Sequence, residues 1–159
     1  MSTSNAPNMA KTVKVLGPDH PITIERSPSR VVVTVAGHTI ADTRSALTLR
    51  EAHYPPVFYI PRKDVDMTLL ERTEHSTYCP YKGDAAYFSI PSGGERAVNA
   101  IWTYESPYSA VEPIRDHLAF YPERQRASRG GLLITESAHP SYDSRVLHRE
   151  QGARCAHRP

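Results

Sequence analysis

Fourteen prolines are spread through the 159 residues, and they limit what the chain can build. Each removes a backbone donor and clashes with the turn before it, so a long helix is broken wherever one falls. Strand ends, edges and turns tolerate the same residue. Between the prolines the sequence reads as short runs of period two. The expected product is a mainly β domain with one or two short helices.

The runs can be placed one by one. Residues 13–16 and 22–25 flank the turn-rich Gly17-Pro18-Asp19-His20-Pro21. Residues 30–36 (RVVVTVA) are dense in β-branched side chains, which lose little on becoming extended. Gly37-His38 then predicts a tight turn into residues 39–42, and so a hairpin. In residues 46–51 (ALTLRE) the alternation points Leu47 and Leu49 inward, with Thr48 and Arg50 outward. Residues 54–60 form another strand, entered through Pro55-Pro56. Over 61–70 the period changes: Val65 and Leu69 have helical spacing and Pro61 suits a first turn, so a short helix or a helical turn is expected. Strands follow at 84–90 and 98–105. The first puts Ala86, Phe88 and Ile90 on one face and Ala85, Tyr87 and Ser89 on the other. The second puts Val98, Ala100, Trp102 and Tyr104 on one face. A short helix near 110–118, with Val111, Ile114 and Leu118 spaced for burial, leads into a final extended stretch at 119–121.

Charge separates the chain into a domain and its ends. Residues 125–159 carry six Arg against three acids, while the 124 residues before them hold 13 basic and 14 acidic side chains. The domain, residues 12–124, is thus neutral, with no clustered Lys and Arg face, which argues against nucleic-acid binding. Residues 1–11 are small and polar and are expected to be disordered. Residues 125–159 mix Arg, Ser, Gly and His around Leu132-Leu133-Ile134 and are expected to be a disordered basic tail. The two cysteines, Cys79 and Cys155, do not make a disulfide framework and fit a reducing compartment. No apolar stretch of signal-peptide or membrane-spanning length occurs. A soluble, cytoplasmic protein without a membrane partner is the expectation.

Reactive side chains crowd into Thr73-Glu74-His75-Ser76-Thr77-Tyr78-Cys79-Pro80-Tyr81-Lys82-Gly83-Asp84. Pro80 and Gly83 imply a constrained turn, and binding residues are often carried on such loops. An ordinary connection with local hydrogen bonds competes with that reading. Cys79 could be a nucleophile activated by His75 or Lys82, or simply a small buried apolar residue. A structural zinc site would need three more ligands, and the chain has no CxxC pair, so no metal site is expected. Lys82 could be a point charge toward an anion, helped by Arg44 or Arg50, or could pair with Asp84. Asp64-Val65-Asp66 would suit one magnesium ion on a strand but not on a helix. Aromatic residues concentrate as well: eight of nine Tyr, all three Phe and the only Trp lie between positions 54 and 121. Tyr59, Tyr81, Tyr87, Trp102 and Tyr104 could line a small-molecule pocket or form the core of a sheet.

These residues also carry a resemblance. The runs Ile40-Ala41-Asp42-Thr43-Arg44, Tyr54-Pro55-Pro56-Val57-Phe58-Tyr59-Ile60-Pro61 and His75-Ser76-Thr77-Tyr78-Cys79-Pro80-Tyr81-Lys82-Gly83-Asp84, with Trp102-Thr103-Tyr104 and Phe120-Tyr121-Pro122, resemble the Domain of Unknown Function 427 family over about residues 31–124. The resemblance implies a β-tent, or Mss4-like, arrangement of two small antiparallel sheets. Relatives of that fold commonly hold zinc through two CxxC pairs, which this chain lacks. A nucleotidyltransferase label attached to the family would need a Gly-Ser and paired-carboxylate constellation that is not present either.

Three functions are therefore open. The leading one is binding of a small ligand, an anion being the case that Lys82 and Arg44 would serve, in an aromatic pocket between the sheets, by a binder or an enzyme. Its candidate residues are Arg44, Tyr59, His75, Cys79, Tyr81, Lys82, Asp84, Trp102 and Tyr104. The second is a protein-interaction module or a homo-oligomeric structural domain with an exposed aromatic face. The third is a magnesium-dependent nucleotidyl transferase built on Asp64 and Asp66. No spacing in the chain names a cofactor.

Overall fold

A computed structural model describes residues 11–121 and 132–137. Ten strands form its framework: β1 (Ile22–Arg26), β2 (Arg30–Val35), β3 (His38–Thr43), β4 (Leu47–Glu51), β5 (Val57–Pro61), β6 (Glu71–Cys79), β7 (Gly83–Ser89), β8 (Ile101–Thr103), β9 (His117–Phe120) and β10 (Leu132–Ser137). They form two antiparallel sheets, one of seven strands in the order β1-β4-β5-β9-β8-β7-β6 and one of three in the order β10-β2-β3. The protein is mainly β, as the prolines require.

The β2–β3 hairpin turns one residue earlier than its sequence suggests. Ala36 and Gly37 occupy the loop with φ of 49° and 81°, and His38 already pairs with Val35. A two-residue hairpin loop of this hand needs positive φ at both positions, which Gly37 adopts freely and Ala36 at some strain.

Helical segments are short and of the 3₁₀ kind. Arg62–Asp64 and Met67–Leu69 take the place of the helix expected over 61–70, and Asp66 caps the second by accepting from the Thr68 amide at 3.1 Å. The helix expected near 110–118 is instead a kinked 3₁₀ segment, Ser109–Ile114. Pro113 sits inside it and cannot donate. Val111 and Ile114 are buried as expected, but Leu118 belongs to β9. Only Ile101–Thr103 of the strand expected at 98–105 pairs. The chain before it turns through Pro91–Ala97 and an Asn99 with φ of 50°, which leaves Val98 49% exposed.

The stretch read as a tail also contributes. Leu132–Ser137 pairs with the whole length of β2, and Leu132 is buried. The expectation of a disordered tail fails for those six residues because the Leu132-Leu133-Ile134 run finds an open strand edge. The rest of 125–159, and residues 1–10, lie outside the described residues.

The seven-stranded sheet has two unlike faces. Facing the small sheet, Val31, Val33 and Val35 of β2 pack with Ile60, Phe88 and Leu118 in a mainly aliphatic cluster, which we call the aliphatic face. The opposite face carries Tyr59, Tyr87, Trp102 and Tyr104, with Val111 and Ile114 of the 3₁₀ segment packed into the same cluster. The switch follows the period of two: Tyr59, Tyr87 and Ala119 look one way, Ile60, Phe88 and Leu118 the other.

Candidate functional site

The aromatic face ends in buried charge. Glu51 closes β4, and the alternation that sends Leu47 and Leu49 to this face sends Glu51 there too. Lys82 stands in the turn between β6 and β7, where its amide donates to the Cys79 carbonyl at 3.2 Å. Gly83 follows with φ of +106°, a conformation other residues avoid. This tight turn directs the Lys82 side chain inward, where the residue is 4% exposed, and its Nζ donates to Glu51 Oε2 at 2.5 Å. The other carboxylate oxygen, Oε1, lies 2.8 Å from His20 Nε2. The His20 ring stacks on Tyr81, centroids 4.0 Å apart and 4° from parallel.

Taking two charges out of water costs several kcal/mol per ion, repaid only by good geometry and further hydrogen bonds. Both oxygens of Glu51 are engaged here. Burial pushes the Glu51 carboxyl up, but the Lys82 charge and hydrogen bond, with those of His20, bring it below its ordinary value.

Above this pair the rings form a connected set. Trp102 Nε1 donates to the Tyr59 hydroxyl at 3.2 Å, the two rings meeting edge to face. Tyr121 lies 4.5 Å from Trp102, and the Tyr87 hydroxyl is 2.9 Å from Thr77 Oγ1. Tyr104 is fully buried, and its hydroxyl has no partner among the described residues. Burial pushes both the Tyr59 and Tyr104 hydroxyls well above the ordinary phenol range, and the charge of Glu51 is felt at each.

Residues 11–20 lie across the β6–β7 hairpin. The Lys14 amide donates to the Pro80 carbonyl at 2.9 Å, and the Tyr78 hydroxyl donates to the Thr12 carbonyl at 2.6 Å. Lys11 pairs with Asp84, and Leu16 packs against the aromatic cluster. This segment delivers His20 to Glu51.

Six of the nine residues expected from the sequence stand on or beside this face: Tyr59, Cys79, Tyr81, Lys82, Trp102 and Tyr104. His75 is at its edge, with its ring 4.4 Å from that of Tyr87. Two are elsewhere. Arg44 is exposed just beyond β3, on the small sheet, and Asp84 is exposed and paired with Lys11 instead of Lys82. The space between the sheets, where a pocket was expected, is filled by the aliphatic cluster. Nor is the 73–84 stretch a loop. All but Pro80, Tyr81 and Lys82 lies in β6 or β7, because Thr73, His75, Thr77 and Cys79 alternate with more exposed residues. Asp64 and Asp66 do not converge: Asp64 accepts from the Thr43 hydroxyl, and Asp66 caps its own turn. Among the described residues no three His, Cys, Asp or Glu side chains gather to hold a metal ion.

Glu51 and His20 were missed. The parity of Glu51 with Leu47 and Leu49 was the available signal, whereas nothing local marks His20.

With this geometry in view, a family model described as Domain of unknown function (DUF427), NTP_transf_9, matches residues 23–131. The chain belongs to that family. The DUF427 match takes in Glu51, Tyr59, Lys82, Trp102 and Tyr104, and leaves out residues 11–20 and β10. His20 is therefore contributed by a segment outside the family match. A comparison with curated proteins finds no match. No helix among the described residues is long and apolar enough to cross a membrane.

Proposed function

We propose that this DUF427 domain binds a small molecule on the aromatic face of its large sheet, with Glu51 and Lys82 at the polar end. The observation that carries the reading is the burial of the Lys82–Glu51 pair against tyrosines. Such a pair is a poor way to stabilise a fold, since apolar residues of similar volume do as well or better. A constellation of this kind beside aromatic rings is a frequent sign of a binding site. The interaction-module reading needs an exposed aromatic face, and a Trp102 only 5% exposed counts against it. The free, buried Cys79 thiol supports a reducing, cytoplasmic setting. The Mss4-like name for the architecture remains part of the same proposal, supported by two antiparallel sheets.

Thermal melting of the full chain tests it, with a panel of nucleotides, sugar phosphates, quaternary amines and uncharged heterocycles. A ligand at a hundred times its Kd stabilises by about 2.7 kcal/mol. The expected result is a rise in Tm that Trp102→Ala abolishes. A panel without any shift, together with a concentration-dependent Tm that marks self-association, would replace this reading with the interaction module.

A further inference from the structure

The hydrogen-bonding capacity left over at this site leans toward donation. Glu51 is an acceptor, and both of its oxygens are taken, by Lys82 and His20. Lys82 brings three protons, and Glu51 is its one side-chain partner among the described residues. The Tyr59 oxygen accepts from Trp102, so its own proton is still to be donated. Tyr104 donates to nothing and accepts from nothing among the described residues, although it is fully buried. A buried polar group without a partner costs about 1–3 kcal/mol, which makes such an orphan rare. What remains are three groups with protons still to donate, of which the Lys82 ammonium can only donate while the two hydroxyls can also accept.

Charge narrows the complement. Lys82 and Glu51 cancel, so the buried pair carries no net charge. A second anion beside the pair would meet the Glu51 carboxylate, a like charge. A neutral oxygen acceptor faces no such repulsion. The rings beside the pair, Tyr59, Trp102 and Tyr121, already pack edge to face and tilted on one another, and a flat partner suits that kind of contact.

Resting on the ligand-binding reading above, we propose that the site recognises the carbonyl oxygen of a small, planar, uncharged molecule, with Tyr104, Tyr59 and Lys82 as its donors. Approach is from the rim formed by His20, Tyr54 and Tyr81, where burial is incomplete. Of the contacts holding residues 11–20 across that hairpin, the Lys11–Asp84 ion pair is exposed and adds little resistance.

The test is melting of the full chain with matched probes. Benzamide, nicotinamide and uracil carry the neutral carbonyl; benzoate, nicotinate and orotate add a carboxylate to similar rings. The expected result is a saturable rise in Tm with one or more of the first set and none with the second. In the Tyr104→Phe variant the Kd for the stabilising probe rises about tenfold, as for the loss of one hydrogen bond. Without probe the same variant melts at or above the parent temperature, because the orphan hydroxyl is gone.

A shift with the carboxylates alone overturns this inference and leaves the ligand-binding reading standing. No shift with either set overturns both. A Tyr104→Phe variant that melts below the parent without probe shows that the hydroxyl is satisfied within the protein, and also sinks the inference.

Discussion

The two faces of the seven-stranded sheet do opposite things with buried side chains. One packs Val31, Val33, Val35 and Ile60 against the small sheet, with no titratable group in the cluster. The other buries phenols, an indole and a thiol, and ends in a carboxylate, an ammonium and an imidazole. Close-packed aliphatic residues in rotamer minima give stability without polar accounting. Each polar group on the far face must find a partner or cost free energy, and Tyr104 has none among the described residues. The aliphatic face thus supplies the fold, while the aromatic face carries an arrangement that stability alone would not select.

Substitutions on each face sharpen that contrast. The largest effect is expected from Glu51→Gln, which strands the buried Lys82 ammonium beside a neutral amide. A loss of about 3–5 kcal/mol in chemical denaturation is predicted. Acid has a related, smaller effect. The Glu51 carboxyl titrates near 4.5 when unfolded and lower when folded. Its contribution is therefore complete above pH 4.5 and lost as pH falls through the folded value. The parent should lose stability over that acid window more steeply than Glu51→Gln does, as read from denaturation midpoints at several pH values. On the aliphatic face, Ile60→Val should cost about 0.5–1.5 kcal/mol by the same measurement, for one methylene removed from a packed site. At the surface, Lys11→Ala should stay within about 0.5 kcal/mol of the parent, since its ion pair with Asp84 is solvated. An Ile60→Val variant as damaging as Glu51→Gln would erase the distinction between the faces.

Much of the architecture was legible because strand faces repeat every two residues. That rule placed Leu47 and Leu49, Tyr87 and Phe88, on their observed faces. It also contained Glu51, two positions beyond Leu49, although charge made that residue look like surface. The rule failed where φ turns positive, at Ala36 and Asn99, since a one-residue offset there flips the faces downstream. β10 was hidden for another reason. Its apolar run is short and sits among polar residues, and its value comes from an open edge of β2 nearly a hundred residues earlier. Lys82 and the tyrosines were legible as a group through their crowding in sequence. His20 was not, because its link to Glu51 spans 31 positions and depends on a segment crossing the β6–β7 turn.

The claim that the far face is kept for binding is tested most directly by replacing both buried charges at once. The double variant Glu51→Met, Lys82→Met removes the ion pair without stranding either member, and its stability is to be compared with Glu51→Gln and the parent by chemical denaturation. The account predicts a double variant within about 1 kcal/mol of the parent or above it, since apolar residues of similar volume replace buried pairs without loss. A double variant as unstable as Glu51→Gln would contradict it, making the pair a structural element of the fold and removing the main support for a site there.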